Sequence, residues 1–130
     1  MSLRDYLEQV RSGLQTFEDY GLSEQIDFFT EIRPGAQAVL QASVKLIDTS
    51  ELYMRAYLLE TGTVQQLSYA YQYQTQAGKL IFRYDNAAHR PSLGFDNHKH
   101  DTDGRIVPAE PPGIEILVQE IIDYMTRESS

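Results

Sequence analysis

At 130 residues, 42% of them hydrophobic, the chain is long enough for one domain with its own core, hiding roughly two thirds of its unfolded surface without covalent staples. It has no cysteine, which removes disulfides, thiolate metal ligands and thiol nucleophiles together and leaves oxygen or nitrogen as any nucleophile. Eleven Lys and Arg against nineteen Asp and Glu give a net charge of −8, which argues against a free-standing nucleic-acid binder because phosphate neutralisation supplies most of that affinity.

The first six residues, Met1 to Tyr6, show no basic region followed by an unbroken apolar stretch, and no window approaches the roughly 18 apolar residues of a membrane span. The expected location is the cytoplasm, with no membrane partner. Ser2 with Asp5 three residues on resembles a capping box, and Leu3, Tyr6, Leu7, Val10, Leu14 and Phe17 then recur at helical spacing until Gly21. Ile26 to Arg33 is short, apolar and aromatic before Pro34-Gly35, which suits a strand entering a turn.

From Ala38 the period becomes two. Ala38, Leu40, Ala42, Val44 and Leu46 share one face, and after Asp48-Thr49-Ser50 so do Leu52, Met54, Ala56 and Leu58. Beyond Thr61-Gly62, Leu67, Tyr69, Tyr71 and Tyr73 alternate with polar residues, and beyond Gln76-Ala77-Gly78, Leu80, Phe82 and Tyr84 alternate with Lys79, Ile81, Arg83 and Asp85. The connections are too short for parallel crossovers, so the runs form an antiparallel meander. Residues 86–112 keep no period and read as a long loop, and Ile114, Leu117, Val118, Ile121, Ile122 and Met125 form a closing helical stripe. The expected architecture is a single α+β domain over residues 1–130: a meander of about four to five strands with the N- and C-terminal helices packed on one face, and a long polar functional segment over 83–112.

The charge is unevenly placed. Residues 79–105 hold five bases (Lys79, Arg83, Arg90, Lys99, Arg105) and four acids (Asp85, Asp96, Asp101, Asp103), so this segment is +1 and the remainder −9. It also contains all three histidines, His89, His98 and His100. Arg83 and Asp85 share a strand face by parity. His98 and His100 share one if their stretch is extended, with Lys99 pointing the other way.

Three readings of this segment stand side by side. One is an exposed polar loop. Another is a metal site from His89, His98 and His100 with Asp85 or Asp96, since imidazole and carboxylate suit zinc, nickel or iron. The third, favoured because Arg83, Arg90 and Lys99 accompany the imidazoles, is phosphodiester chemistry without cofactor or metal. In it His98 and His100 exchange protons, Arg83 and Lys99 stabilise the charged phosphorane, Asp85 orients an imidazole or arginine, and His89 is a second-rank candidate. Tyr53, Tyr57, Tyr69, Tyr71 and Tyr73 can stack bases, but cross-strand packing is the favoured reading, and Arg55 reads as a cation over a ring or a solvated side chain. Asp101-Thr102-Asp103-Gly104 opens like a calcium loop but has Pro112 where the closing Glu belongs, so calcium is rejected.

Phe82-Arg83-Tyr84-Asp85-Asn86-Ala87, His89-x-Pro91-x-Leu93, Phe95 and His98-Lys99-His100, preceded by Arg55 and the Tyr69-x-Tyr71-x-Tyr73 ladder, resemble the TumE family of toxins from type II toxin–antitoxin modules over roughly residues 39–107. The chain departs from the family pattern at Arg90, where a second histidine is common, and at Asp96-Asn97-His98, where a histidine pair preceded by proline is common, which weakens the metal reading. The resemblance implies a growth-inhibiting protein with a helix-turn-helix antitoxin as partner and RNA as the target class. A non-enzymatic module using the histidine segment as a recognition surface is the competing interpretation.

Overall fold

The computed structural model describes residues 1–88 and 93–128. Ser2 caps the first helix, α1 (Leu3–Asp19): its hydroxyl accepts the Asp5 N–H at 3.1 Å, and the Asp5 carboxylate accepts the Ser2 N–H at 3.4 Å. The other end closes with two reversed bonds. The Leu22 N–H reaches the Phe17 carbonyl at 2.7 Å and the Gly21 N–H reaches that of Glu18 at 2.9 Å, with Gly21 at φ +69°. This is the glycine-dependent stop that turns the chain out of a helix without a Cβ clash. Leu3, Leu7, Val10, Leu14 and Phe17 form the buried stripe.

Seven strands follow in a meander: β1 (Ser23–Arg33), β2 (Gln37–Leu46), β3 (Glu51–Thr61), β4 (Thr63–Gln74), β5 (Leu80–Asp85), β6 (His98–Asp101) and β7 (Ile106–Pro108). Every neighbour pair is antiparallel, and spatial order repeats chain order. The helix α2 (Ile114–Glu128) closes the chain. No helix among the described residues is long and apolar enough to cross a membrane.

The strand count exceeds the expected four to five because β6 and β7 lie inside the stretch that read as a loop. Strands of four and three residues are too short to display a period, and they form by pairing, β6 with β5 and β7 with β6, rather than by local pattern. A second difference concerns Leu67. Tyr57 pairs with Ser68 but Leu58 with Gln66, so Leu67 is the extra residue of a bulge and stands half-exposed, off the face of the tyrosine ladder it was grouped with.

One face of the sheet is apolar. Leu40, Val44, Leu52, Met54 and Leu58, with Tyr69, Tyr71, Tyr73, Phe82 and Tyr84, join the stripes of both helices in one core. The tyrosine ladder is thus core packing, as favoured from the sequence, with Tyr73 edge-on to Tyr124 at 5.5 Å between ring centroids. Both helices occupy this face, leaving the other face uncovered.

The helices meet at Gly13. A Cβ built there would lie 2.4 Å from Cγ1 and 2.7 Å from Cγ2 of Ile114, at the first residue of α2. Replacing Gly13 by Ala gains about 1 kcal/mol of helix propensity but forces a β-branched core residue aside, at about 1–3 kcal/mol. We expect Gly13→Ala to lower the thermal midpoint measured by circular dichroism, although the same change at an exposed helical position raises it.

Candidate functional site

The uncovered face carries two adjacent cross-strand rows set by register. One runs Phe29, Gln41, Arg55, Ala70, Asp85, His98 from β1 to β6, and the next runs Asp27, Ser43, Tyr53, Gln72, Arg83, His100. Arg83 and Asp85 alternate onto this face from β5, and His98 and His100 join them from β6. The pairings are Asp85 with His98 and Arg83 with His100.

Asp85 is the centre of the group. Only 3% of it is exposed, and a buried carboxylate survives only with charged or hydrogen-bonding partners. Arg83 Nε donates to Oδ2 at 2.5 Å, and the Ala87 N–H donates to Oδ1 at 3.1 Å. His98 Nε2 lies 2.6 Å from Oδ1, and His100 Nε2 lies 3.5 Å from Oδ2. Burial by itself pushes the Asp85 pKa up, but the bonds from Arg83 and Ala87, with the charges of Arg83 and His98, outweigh it and hold the carboxyl below its ordinary 3.8.

The two histidines differ sharply. His98 is fully buried, with Nδ1 2.8 Å from the Asp96 carbonyl and Phe95 edge-on to its ring. A carbonyl only accepts, so Nδ1 carries a hydrogen, and the Nε2 contact holds another between His98 and Asp85. His100 keeps 21% of its side chain exposed, with its ring 5.0 Å from that of His98, and is the imidazole that solvent or a ligand can reach.

Lys99 is carried to the opposite face, as alternation requires. Its ammonium pairs with Glu120 of α2 at 2.6 Å and lies over the rings of Phe82 and Tyr84. It cannot reach a phosphate held beside Arg83. His89 lies outside the described residues. Asp96 meets His98 through its backbone carbonyl.

Other residues complete the frame. Gln72 accepts from Arg83 Nη1 at 2.7 Å, fixing the guanidinium from the side away from Asp85. Asn86 accepts the Tyr69 N–H and donates to the Leu67 carbonyl, both at 3.1 Å, while the Tyr69 hydroxyl donates to Asn97 at 2.9 Å, so both ends of the β5–β6 connection are tied to β4. Burial, then the charges of Asp85 and Glu110, push the Tyr69 pKa up to about 12, which keeps the phenol protonated as a donor. Gln72 was not singled out from the sequence. The signal was available in the register, since the four strands that present alternating faces place Gln72 between Tyr53 and Arg83.

Among the described residues, Asp85, His98 and His100 are the one group of three whose ligand-type atoms lie within 4.8 Å of one another. The fit to a metal is poor: Arg83 occupies the same carboxylate at 2.5 Å, and both ring nitrogens of His98 face oxygen acceptors. Beside the group the open face is hollowed into a concavity of about 700 Å³, lined among others by Phe29, Gln41, Tyr53, Arg55 and Arg83, and a second of about 330 Å³ that reaches Asp85.

The family model described as Toxin TumE matches residues 14–129, nearly the whole chain. The protein belongs to this family of toxins, and membership implies a cognate antitoxin as partner. No curated protein and no solved structure matches it.

The ion-pair group makes a pH prediction. Asp85 has a native pKa below 3.8, so between the native and unfolded values the unfolded state binds more protons, and stability falls as pH falls through that window. Removing one member of a buried charge group costs about 3–5 kcal/mol. In urea titrations, Asp85→Asn is expected to be less stable than wild type by about that amount at neutral pH, with the gap closing below about pH 4.

Proposed function

We propose that this toxin is a metal-independent endoribonuclease whose accessible imidazole is His100. The observation that carries the reading is the placement of His100 at the rim of the open face, paired across strands with Arg83 and turned by its Nε2 toward the buried Asp85 carboxylate. With Nε2 directed at that carboxylate, Nδ1 is the ring nitrogen that takes a proton from substrate in this reading.

In the reaction, His100 Nδ1 takes the proton of a ribose 2′-hydroxyl. The 2′-oxygen attacks the adjacent phosphorus, Arg83 stabilises the charge gathering on the non-bridging oxygens, and the 5′-oxygen leaves with a proton from a second acid. His89, four residues beyond Asp85, is that acid in this reading. The bond from phosphorus to the 5′-oxygen breaks as that to the 2′-oxygen forms, giving a 2′,3′-cyclic phosphate and a 5′-hydroxyl. His98, fully buried, serves by positioning Asp85 rather than by exchanging protons with substrate. The toxin acts in the cytoplasm, and its antitoxin is a basic helix-turn-helix protein suited to a chain of charge −8.

Protein freed of its antitoxin is expected to cleave RNA in the presence of chelator and leave 2′,3′-cyclic ends. His100→Gln should reduce the single-turnover rate by about 10²- to 10⁴-fold while the circular dichroism spectrum stays unchanged. Intact RNA, or cleavage that needs an added divalent cation, overturns the reading; the second outcome would hand the Asp85, His98 and His100 cluster to a metal.

A further inference from the structure

Arg55 stands at the centre of the uncovered face, exposed, and lines both concavities. Among the described residues it makes no hydrogen bond, ion pair or ring contact, in a chain with nineteen carboxylates. Four other cations are engaged: Arg83 with Asp85, Arg33 with Glu31, Lys99 with Glu120, and Arg11 over the Phe28 ring. Of the two readings of Arg55, cation over a ring or solvated side chain, the exposed side chain agrees with the second. Two open aromatic rings share its face, Tyr53 two residues earlier on the same strand and Phe29 two strands away in the same row. Phe29 is 52% and Tyr53 43% exposed on this face, open to the groove, while the tyrosines of β4 are buried on the other side.

Between Arg55 on β3 and Asp85 on β5 the register puts Ala70, whose small side chain leaves the floor of the groove low where a larger residue would fill it. The rows cross from β6 to β1 at about 4.8 Å per strand, a track of about 24 Å with His100 and Arg83 at one end, Arg55 in the middle and Phe29 at the other.

We propose that this face is a binding groove for single-stranded RNA, in which Arg55 and Arg83 each hold a backbone phosphate, Tyr53 and Phe29 stack unpaired bases, and the strand is delivered to His100. This rests on the RNA-directed reading above and names its substrate form. Rings that lie in a groove recognise bases by their faces, which a duplex keeps stacked on one another, so the groove selects single strands. With two phosphate contacts on an acidic protein, affinity comes chiefly from stacking, and its dependence on salt is shallow.

The test is fluorescence anisotropy of a labelled eight-nucleotide RNA and of a hairpin duplex with the full chain, carried out in the His100→Gln background so that the RNA stays whole, with folding checked by circular dichroism. For the single strand the slope of log affinity against log salt is expected near about −1.4, at about −0.7 per phosphate. Arg55→Gln should flatten it by about 0.7. Tyr53→Ala should weaken binding by about 5- to 100-fold with the slope unchanged, and Arg4→Gln, on the helix side, should do nothing.

Equal or tighter binding of the duplex, or wild-type affinity in both groove variants, overturns the groove. Loss of antitoxin binding with RNA binding untouched overturns it too and makes the face a protein interface. RNA bound in the groove but left uncut by wild type sinks the nuclease reading and leaves this one standing, whereas RNA cut normally by Arg55→Gln and Tyr53→Ala does the reverse.

Discussion

The carboxylate of Asp85 sits where water cannot solvate it, and the end of the sheet is arranged to answer that. Arg83 two residues earlier, the Ala87 N–H two residues later and His98 from the next strand all converge on its two oxygens. Each contact is a constraint on the backbone as much as on the side chain. Arg83 and Asp85 must alternate onto the same face, the chain must turn so that Ala87 points back, and β6 must pair with β5 in the one register that sets His98 opposite Asp85. A shift of one residue would replace His98 by Lys99 or Asn97 and send the imidazoles to the other face. The short strand β6, with only four residues of ladder, is therefore held as much by this ion-pair group as by its backbone bonds.

The two faces of the sheet divide the labour. The apolar face, covered by the helices, absorbs the large side chains, including the phenols of Tyr71 and Tyr73, whose pKa values burial drives upward. Two polar residues on that side reach α2: Lys99 and the Tyr84 hydroxyl both meet Glu120. This clamp anchors β5 and β6 to the core from behind while their other side chains present the site in front. The same alternation that exposes His100 thus commits Lys99 to structure.

Much of this was legible in the sequence, for reasons that can be traced. The capping pair Ser2 and Asp5, the stripe of α1 and the alternation through β2 to β5 are local patterns, and local patterns survive in a single chain. Parity alone separated His98 and His100 from Lys99 and joined Arg83 to Asp85. What stayed hidden was pairing. The β5–β6 register spans a connection of twelve residues and depends on charge contacts that no spacing rule encodes, so β6 and β7 were invisible and the complete burial of His98 could not be foreseen. Arg55, on a face with Tyr53 and Tyr57, reads from the sequence as a cation over a ring or a solvated side chain rather than a functional group. Its isolation is a property of the assembled face, where the residue across the ladder is Ala70.

The coincidence of chain order with strand order has a consequence for synthesis on the ribosome. Each strand pairs only with its neighbours in the chain, so the sheet can lengthen hairpin by hairpin as the chain emerges. The cover is another matter: Tyr73 waits for Tyr124, Tyr84 and Lys99 wait for Glu120, and the cleft left by Gly13 is filled by Ile114. All of these partners belong to α2. A nascent chain that has already made Arg83, Asp85, His98 and His100 still lacks the helix that fixes their strands from behind, so the strands that carry the toxin's charged cluster gain their full support only once α2 has followed them off the ribosome.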